Sequence, residues 1–111
     1  MIEIIVLEYL RENLTCPVYM ERPEKVKVPY VLIEKTGSRR DGYIYSSTIA
    51  IQSYEQSLYK AAVLNEKVKH AMDRLAVLNE VCHSELNSDY NHTDPMTKQP
   101  RYQAVYDITH Y

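Results

Sequence analysis

The segment SLYKAAVLNEKVKHAMDRL, residues 57–75, limits the fold more than any other stretch. Leu58, Ala61, Leu64, Val68, Ala71, Met72 and Leu75 recur at helical spacing and make one apolar stripe. A stripe of this kind must be buried against another element, and the flanking sequence supplies strands rather than a second long helix. Glu66 with His70 and Lys69 with Asp73 lie four residues apart on the opposite, solvated side, each pair worth only about 0.2–0.5 kcal/mol. Burial of the stripe therefore has to hold this helix. Val68 and Met72 are read as packing residues, not as part of a cofactor site.

The remaining segments read as follows. Residues 2–13 place Ile2, Ile5, Val6, Tyr9 and Leu10 at helical spacing, with Glu3, Glu8, Arg11 and Glu12 mostly on the other side. Thr15, Cys16 and Pro17 end this helix, because the residue before a proline is pushed out of helical geometry. PVYME (17–21) reads as a short strand and ERPEKVKVP (21–29) as a connection. YVLIEKT (30–36) and SSTIAIQSY (46–54) read as strands, with Tyr45, Ser47, Ile49 and Ile51 on one face. Between them TGSRRDGY (36–43) is predicted to be a hairpin tip. It holds both glycines of the chain, Gly37 and Gly42, where positive φ costs little. VLNEVCHSELN (77–87) alternates loosely as a strand with both faces partly covered, and RYQAVYDITHY (101–111) closes the chain as another. This order predicts an α+β fold in a single domain, 1–111. Its antiparallel β-sheet has about four to five strands, with the N-terminal helix and the long helix packed on one face.

Apolar residues at 45% and charged residues at 25% suit a globular core, and no run approaches the ~18 apolar residues of a membrane span. The opening MIEIIVLEYLREN has acids at Glu3 and Glu8, no basic leader and no small-residue cleavage site, so intracellular synthesis is expected. A net charge of −2 gives no general affinity for phosphate backbones or anionic lipid. Cys16 and Cys82 are too few and too widely separated for a zinc framework or a CxxC motif, and two reduced, partly buried thiols is the plainer reading, with a disulfide as the alternative. All eleven aromatic residues are tyrosine, so every buried ring brings a hydroxyl that needs a partner. Such rings suit core edges and contacts with other chains.

Catalytic chemistry requires a nucleophile with a base, a carboxylate pair or a metal cluster, and none stands out. His70, His83, His92 and His110 fall on separate elements, and no HxH or HExxH spacing gathers two ligands. Asp89, His92 and Asp94 lack the oxygen alternation and the glycine of a calcium loop, and a solvated loop with an Asx-type turn at Asp94-Pro95 is expected instead. Two glycines in one hairpin cannot build a phosphate loop, so no cofactor and no enzymatic activity are expected. Arg39 and Arg40, beside Tyr43 and Tyr45, suit a carboxylate or phosphate on a partner, with a solvated turn as the plain alternative. The polar stretch 87–100 is long for a hairpin connection and holds prolines that limit the freedom lost on ordering, which favours a docking arm.

Several of these stretches together resemble the tail terminator (tail completion) proteins of long-tailed bacteriophages. They are the N-terminal helix, PVYMERPEKVKVPYVLIEKTGSRRDGY, STIAIQSY, the helix ending AMDRL and DPMTKQPRYQAVYDI. The likeness covers nearly the whole chain. It is most telling at Tyr90, Asp94, Thr97, Pro100, Arg101, Tyr102 and Gln103, and again from Val31 through Arg40. The glycine-poor turn and the all-tyrosine aromatics depart from the pattern. The resemblance implies a small α+β protomer of a virion, assembled in the bacterial host cytoplasm. Six copies would form a ring on the head-proximal end of the tail tube, stopping tube growth and offering a surface to the head connector. Its partners would be further copies of itself, the tube protein and the connector, with a monomer in solution, templated into a ring by the tube tip, as the alternative to a ring formed alone. No membrane and no specific nucleic acid would be among them, although DNA would pass through the ring. Arg39, Arg40, Asp41, Asp94 and Arg101 would make the charged contacts, and Tyr90 and Tyr102 the aromatic ones, with Arg101 and Tyr102 merely starting the last strand as the plain alternative. A head-completion or connector neck protein is the nearest alternative, and a small ligand- or nucleic-acid-binding module a more distant one.

Overall fold

A computed structural model describes residues 1–111. The N-terminal helix α1 (Ile2–Asn13) is followed by β1 (Val18–Tyr19), β2 (Tyr30–Asp41), β3 (Ile44–Tyr54), α2 (Leu58–Met72), a 3-10 turn (Leu75–Val77), β4 (Val81–Asn91) and β5 (Arg101–His110). The strands form one five-stranded sheet in the order β1-β2-β3-β5-β4. Four of them are antiparallel neighbours. β1 adds to β2 in parallel over two residue pairs, which makes the sheet mixed rather than wholly antiparallel. A parallel neighbour requires a crossover, and the proline-containing segment 20–29 provides it.

Both helices lie on the same face of the sheet. Ile2, Val6, Leu7 and Leu10 of α1 join Leu64, Val68 and Met72 of α2 over Val31, Ile33, Ile49, Ile51, Ala104, Tyr106 and Ile108 in one cluster of 19 buried residues. α2 begins where the Ser57 Oγ accepts from the Lys60 N–H at 3.1 Å, a cap worth about 1 kcal/mol. The expected stripe is buried from Ala61 to Leu75, but Leu58 at its start is 44% exposed. Asn65, absent from that stripe, is buried instead, and it donates to Asp89 at 3.0 Å. The expected pairs four residues apart do not form. Lys69 bonds Asp89 and Glu66, both at 2.8 Å, and Asp73 accepts from the Tyr106 hydroxyl at 2.8 Å.

Several boundaries differ from those read in the sequence; α2 ends at Met72 and not Leu75, and β3 already begins at Ile44. β2 runs on to Asp41, so the hairpin turn is only Gly42-Tyr43, with Gly42 at φ 63°, while Gly37 sits at a bulge within the strand. Residues 75–80 are a 3-10 turn and its exit instead of the start of a strand, and β4 begins at Val81. β4 then continues through Asn91, which shortens the expected 87–100 loop to residues 92–100. Most of β4 is also more exposed than the expected double coverage. No helix is long and apolar enough to cross a membrane.

Two tyrosines packed against the helices, Tyr9 and Tyr106, find the partners their hydroxyls need, whereas the buried Tyr30 makes no hydroxyl hydrogen bond within the chain. Tyr9 donates to the Ala71 carbonyl at 2.7 Å, and Tyr106 to Asp73 with the Lys69 carbonyl 3.2 Å away. Burial pushes the Tyr9, Tyr30 and Tyr106 phenols up, and for Tyr106 the bond to Asp73 adds to it. The bonds from Asp89 and Glu66 raise Lys69 against its partial burial. Each group holds its proton more tightly folded than unfolded, where tyrosine ionises near ~10 and lysine near ~10.4. The stability they contribute is complete below about pH 10 and is lost as pH rises through the folded values. The urea midpoint is therefore expected to fall steeply above about pH 10. Tyr106→Phe should lose about 1 kcal/mol at pH 7 and show a shallower alkaline fall. Ile51→Ala, at a fully buried position, should lose about 2–5 kcal/mol with an unchanged pH profile.

Candidate functional site

The residues singled out from the sequence divide into two groups at opposite ends of the sheet. Tyr45 pairs with His110 at one end of the β3–β5 ladder and Tyr54 with Arg101 at the other, nine steps apart and so roughly 30 Å. The molecule is elongated, 43 × 26 × 25 Å. Arg39, Arg40 and Asp41 lie at the far end of β2, where every residue from Glu34 to Asp41 is exposed. The Arg40 guanidinium sits 6.0 Å from the centroid of the Tyr45 ring, and the Tyr45 ring stacks on His110. Tyr43, at the turn, is 93% exposed. Arg39 and Arg40 thus belong to a projecting two-stranded arm instead of a loop tip.

Tyr90, Asp94, Arg101 and Tyr102 gather at the other end, but in different roles. The Asp94 Oδ1 accepts from the Met96 N–H at 2.8 Å and its carbonyl from the Lys98 N–H at 2.7 Å, the Asx-type turn expected there. Arg101 is committed inside the molecule. Its Nε donates to the His92 carbonyl at 2.7 Å, its Nη1 to the Tyr54 hydroxyl at 3.0 Å, and its guanidinium lies 5.6 Å from the Tyr54 ring centroid. Tyr102 is half-buried on the helix side, paired with Ser53 and Asn91. This leaves Tyr90 and the 92–100 loop as the presented groups at this end.

Beneath them runs a hydrogen-bonded chain that the sequence reading did not identify. Arg101 donates to Tyr54, Tyr54 to Gln52 (2.9 Å), Gln52 to Gln103 (2.9 Å) and Gln103 to Tyr90 (2.7 Å). It crosses β5, β3 and β4 on the face that neither helix covers. A charge at one end polarises each bond in turn, and the proton of the Tyr90 hydroxyl is left to point outward. Tyr30, stacked on Tyr54 at 4.4 Å, closes the near side. The signal was present in the period-two spacing of Gln52 and Tyr54 and of Arg101 and Gln103, one face over from the apolar residues. Further along the same face Asp107 accepts from Thr48 and Asn87, both at 2.9 Å.

Two further features bear on chemistry. The Ser47 Oγ lies 2.8 Å from the His110 Nε2, and the His110 Nδ1 3.2 Å from the Tyr111 carbonyl oxygen. Both side chains are more than nine-tenths buried, so the bond ties β3 to β5 and does not present a nucleophile. A groove of about 480 Å³ between the end of α1 and α2 has Tyr9, Leu14, Val63 and Leu64 along its floor and Lys67 and Arg74 at its rim. No three His, Cys, Asp or Glu side chains converge as a metal set. Cys16 and Cys82 are unpaired; Cys82 is exposed instead of partly buried, and burial pushes the Cys16 thiol up. No protein-family model matches the chain, and no curated protein matches it.

Because Arg101 ties the loop to β3, its removal should be felt locally before it is felt globally. Arg101→Ala is expected to cost about 1–3 kcal/mol and to speed amide exchange most within residues 92–100. Arg39→Ala, whose side chain makes no hydrogen bond or ion pair in the fold, should leave both quantities within about 0.5 kcal/mol of the parent.

Proposed function

We propose that the chain is a structural subunit of a ring that caps the head-proximal end of a phage tail tube. In this reading it stops tube growth and offers the surface to which the head connector joins. The reading rests on the resemblance of nearly the whole chain to tail terminator proteins. One observation carries it physically: two presented surfaces stand at opposite ends of a 43 Å molecule, the charged β2–β3 arm at one end and Tyr90 with the 92–100 loop at the other. An axial cap requires one end of each copy toward the tube and the other toward the head, and the two ends of this molecule are unlike. Six copies in the virion, the tube protein and the connector are the partners this role calls for. The work is done by shape and charge, with no substrate transformed.

Arg39, Arg40 and Asp41 serve the contact at the arm, and Tyr90 and Asp94 the contact at the loop. Arg101 and Tyr102 support the loop from within, the guanidinium through its bonds to His92 and Tyr54.

The test is assembly of tail tubes in the presence of the protein, imaged by electron microscopy. With the parent chain, tubes are expected to stop at a uniform length with a ring at one end. With Arg39→Glu/Arg40→Glu, whose fold should be intact by circular dichroism, lengths should broaden and head joining should fail. Uniform, head-joined tubes with that variant would reject the part assigned to the arm. A ring bound on the head side of the neck would reject the capping role in favour of a connector.

A further inference from the structure

The sheet ends on two backbone edges that have no partner. β1 covers only Val31 and Leu32 of β2, so from Ile33 to Asp41 that strand pairs on its β3 side alone. β4 pairs on its β5 side alone from His83 to Asn91. Rows of free N–H and C=O groups are templates for another strand. We infer that these two edges join to each other between copies, β2 of one copy adding to β4 of the next, so that the sheets of neighbouring subunits become continuous. The inference deepens the ring reading and takes its biological setting from it, but the join is a property of the purified chain.

Strand direction is the first support. The pairs β2–β3, β3–β5 and β5–β4 are all antiparallel, so β2 and β4 run in opposite senses. Copies related by rotation about an axis along the strands keep their sense, and β2 of one then meets β4 of the next as an antiparallel ladder. The contact is between unlike surfaces, and repeated copying of it closes a ring when the rotation allows.

Charge is the second. No Lys or Arg occurs from Leu75 through Asn91, while Glu80, Glu85 and Asp89 do, and only Asp89 is held by a lysine of its own chain, Lys69. On the free part of β2, Lys35 is held by Glu3 of its own chain at 3.6 Å, which leaves Arg39 and Arg40 beside Glu34 and Asp41. Two β4 edges repel each other, whereas the β2 edge carries both signs and offers its two arginines to the acids of β4. Charges and bulges on an edge ordinarily protect it from indiscriminate pairing. Here Arg39 is a cation with no partner in its own chain, and Glu85 has only His83, at 3.5 Å, in its own.

Register identifies the residues that meet. Arg39 pairs with Ser46, Ser46 with Thr109, and Thr109 with His83. With copies at the same height, Arg39 therefore stands opposite His83 of the next copy and diagonal to Glu85, on the helix-free face, within reach of a long side chain. β4 is regular from His83 to Leu86, between its two bulges. The join is short, and the Arg39–Glu85 contact decides it.

Sedimentation velocity of the purified chain across concentration and salt tests this, with Arg39→Glu, Glu85→Arg and the double variant. The parent should associate with increasing concentration and less so at high salt. Each single variant should lose roughly tenfold or more in association constant. The double variant should regain association, as should an equimolar mixture of the two singles. A parent that stays monomeric throughout, singles that associate as the parent does, or a double variant as weak as the singles would each overturn the join. Tube capping without this charge-swap pattern would reject the join and leave the cap. The charge-swap pattern without tube capping would do the reverse.

Discussion

The structure depends on the last strand entering between two others. β5 is bonded along its whole length to β3 on one side and to β4 on the other, so it turns two hairpins that are distant in sequence into one sheet. Its helix-side residues Ala104, Tyr106 and Ile108 are also the floor under α2. Remove that insertion and β4 loses its only ladder, while α2 loses half the surface that its apolar stripe requires. Long-range pairing of this kind is slow to form, because the loop must close before any contact rewards it.

Coverage of the sheet is one-sided, and the two faces follow different chemistry. On the helix side the layers are apolar and most polar exceptions are tied: Lys69 with Asp89 and Glu66, Tyr106 with Asp73, Ser84 with the Met72 carbonyl at 3.1 Å, while the buried Ser53 Oγ and Asn65 Oδ1 have no hydrogen-bond partner. On the other side, order comes from hydrogen-bonded side chains lying flat on the strands, from Arg101 through to Tyr90. A face built this way holds its shape without an apolar layer over it. It leaves the arm, the loop and the two strand edges as the places that stay open to contact.

Much of this was legible in the sequence because apolar periodicity is a direct record of burial. Val6 and Leu10 of α1, Val68 and Met72 of α2, and Ile49 and Ile51 of β3 all lie where their spacing places them. The misreadings share one cause, which is that a partner strand overrides local preference. Asn87-Ser88-Asp89-Tyr90-Asn91 is rich in turn formers, yet β5 supplies a ladder and holds it extended. Ser38-Arg39-Arg40 between two glycines looks like a turn, yet β3 pairs with it residue by residue. Val77 and Leu78 alternate like a strand but leave the 3-10 turn that buries Leu75. For the candidate site, residue type was readable and role was not. Arg101 has the chemistry of an interface arginine, and only the positions of His92 and Tyr54 reveal that its donors are spent within the chain. The parallel seat of β1 had no local signal at all.

The Tyr30–Tyr54 stack has a practical optical consequence. With neither tryptophan nor phenylalanine present, every aromatic band of this molecule comes from phenol rings. Coupled, parallel rings dominate such spectra over isolated, mobile ones. The near-ultraviolet dichroism thus reports most strongly on the end of the sheet beneath the 92–100 loop. The exposed Tyr43 adds little to it, while Tyr45, stacked on His110, adds a second signal from the base of the arm.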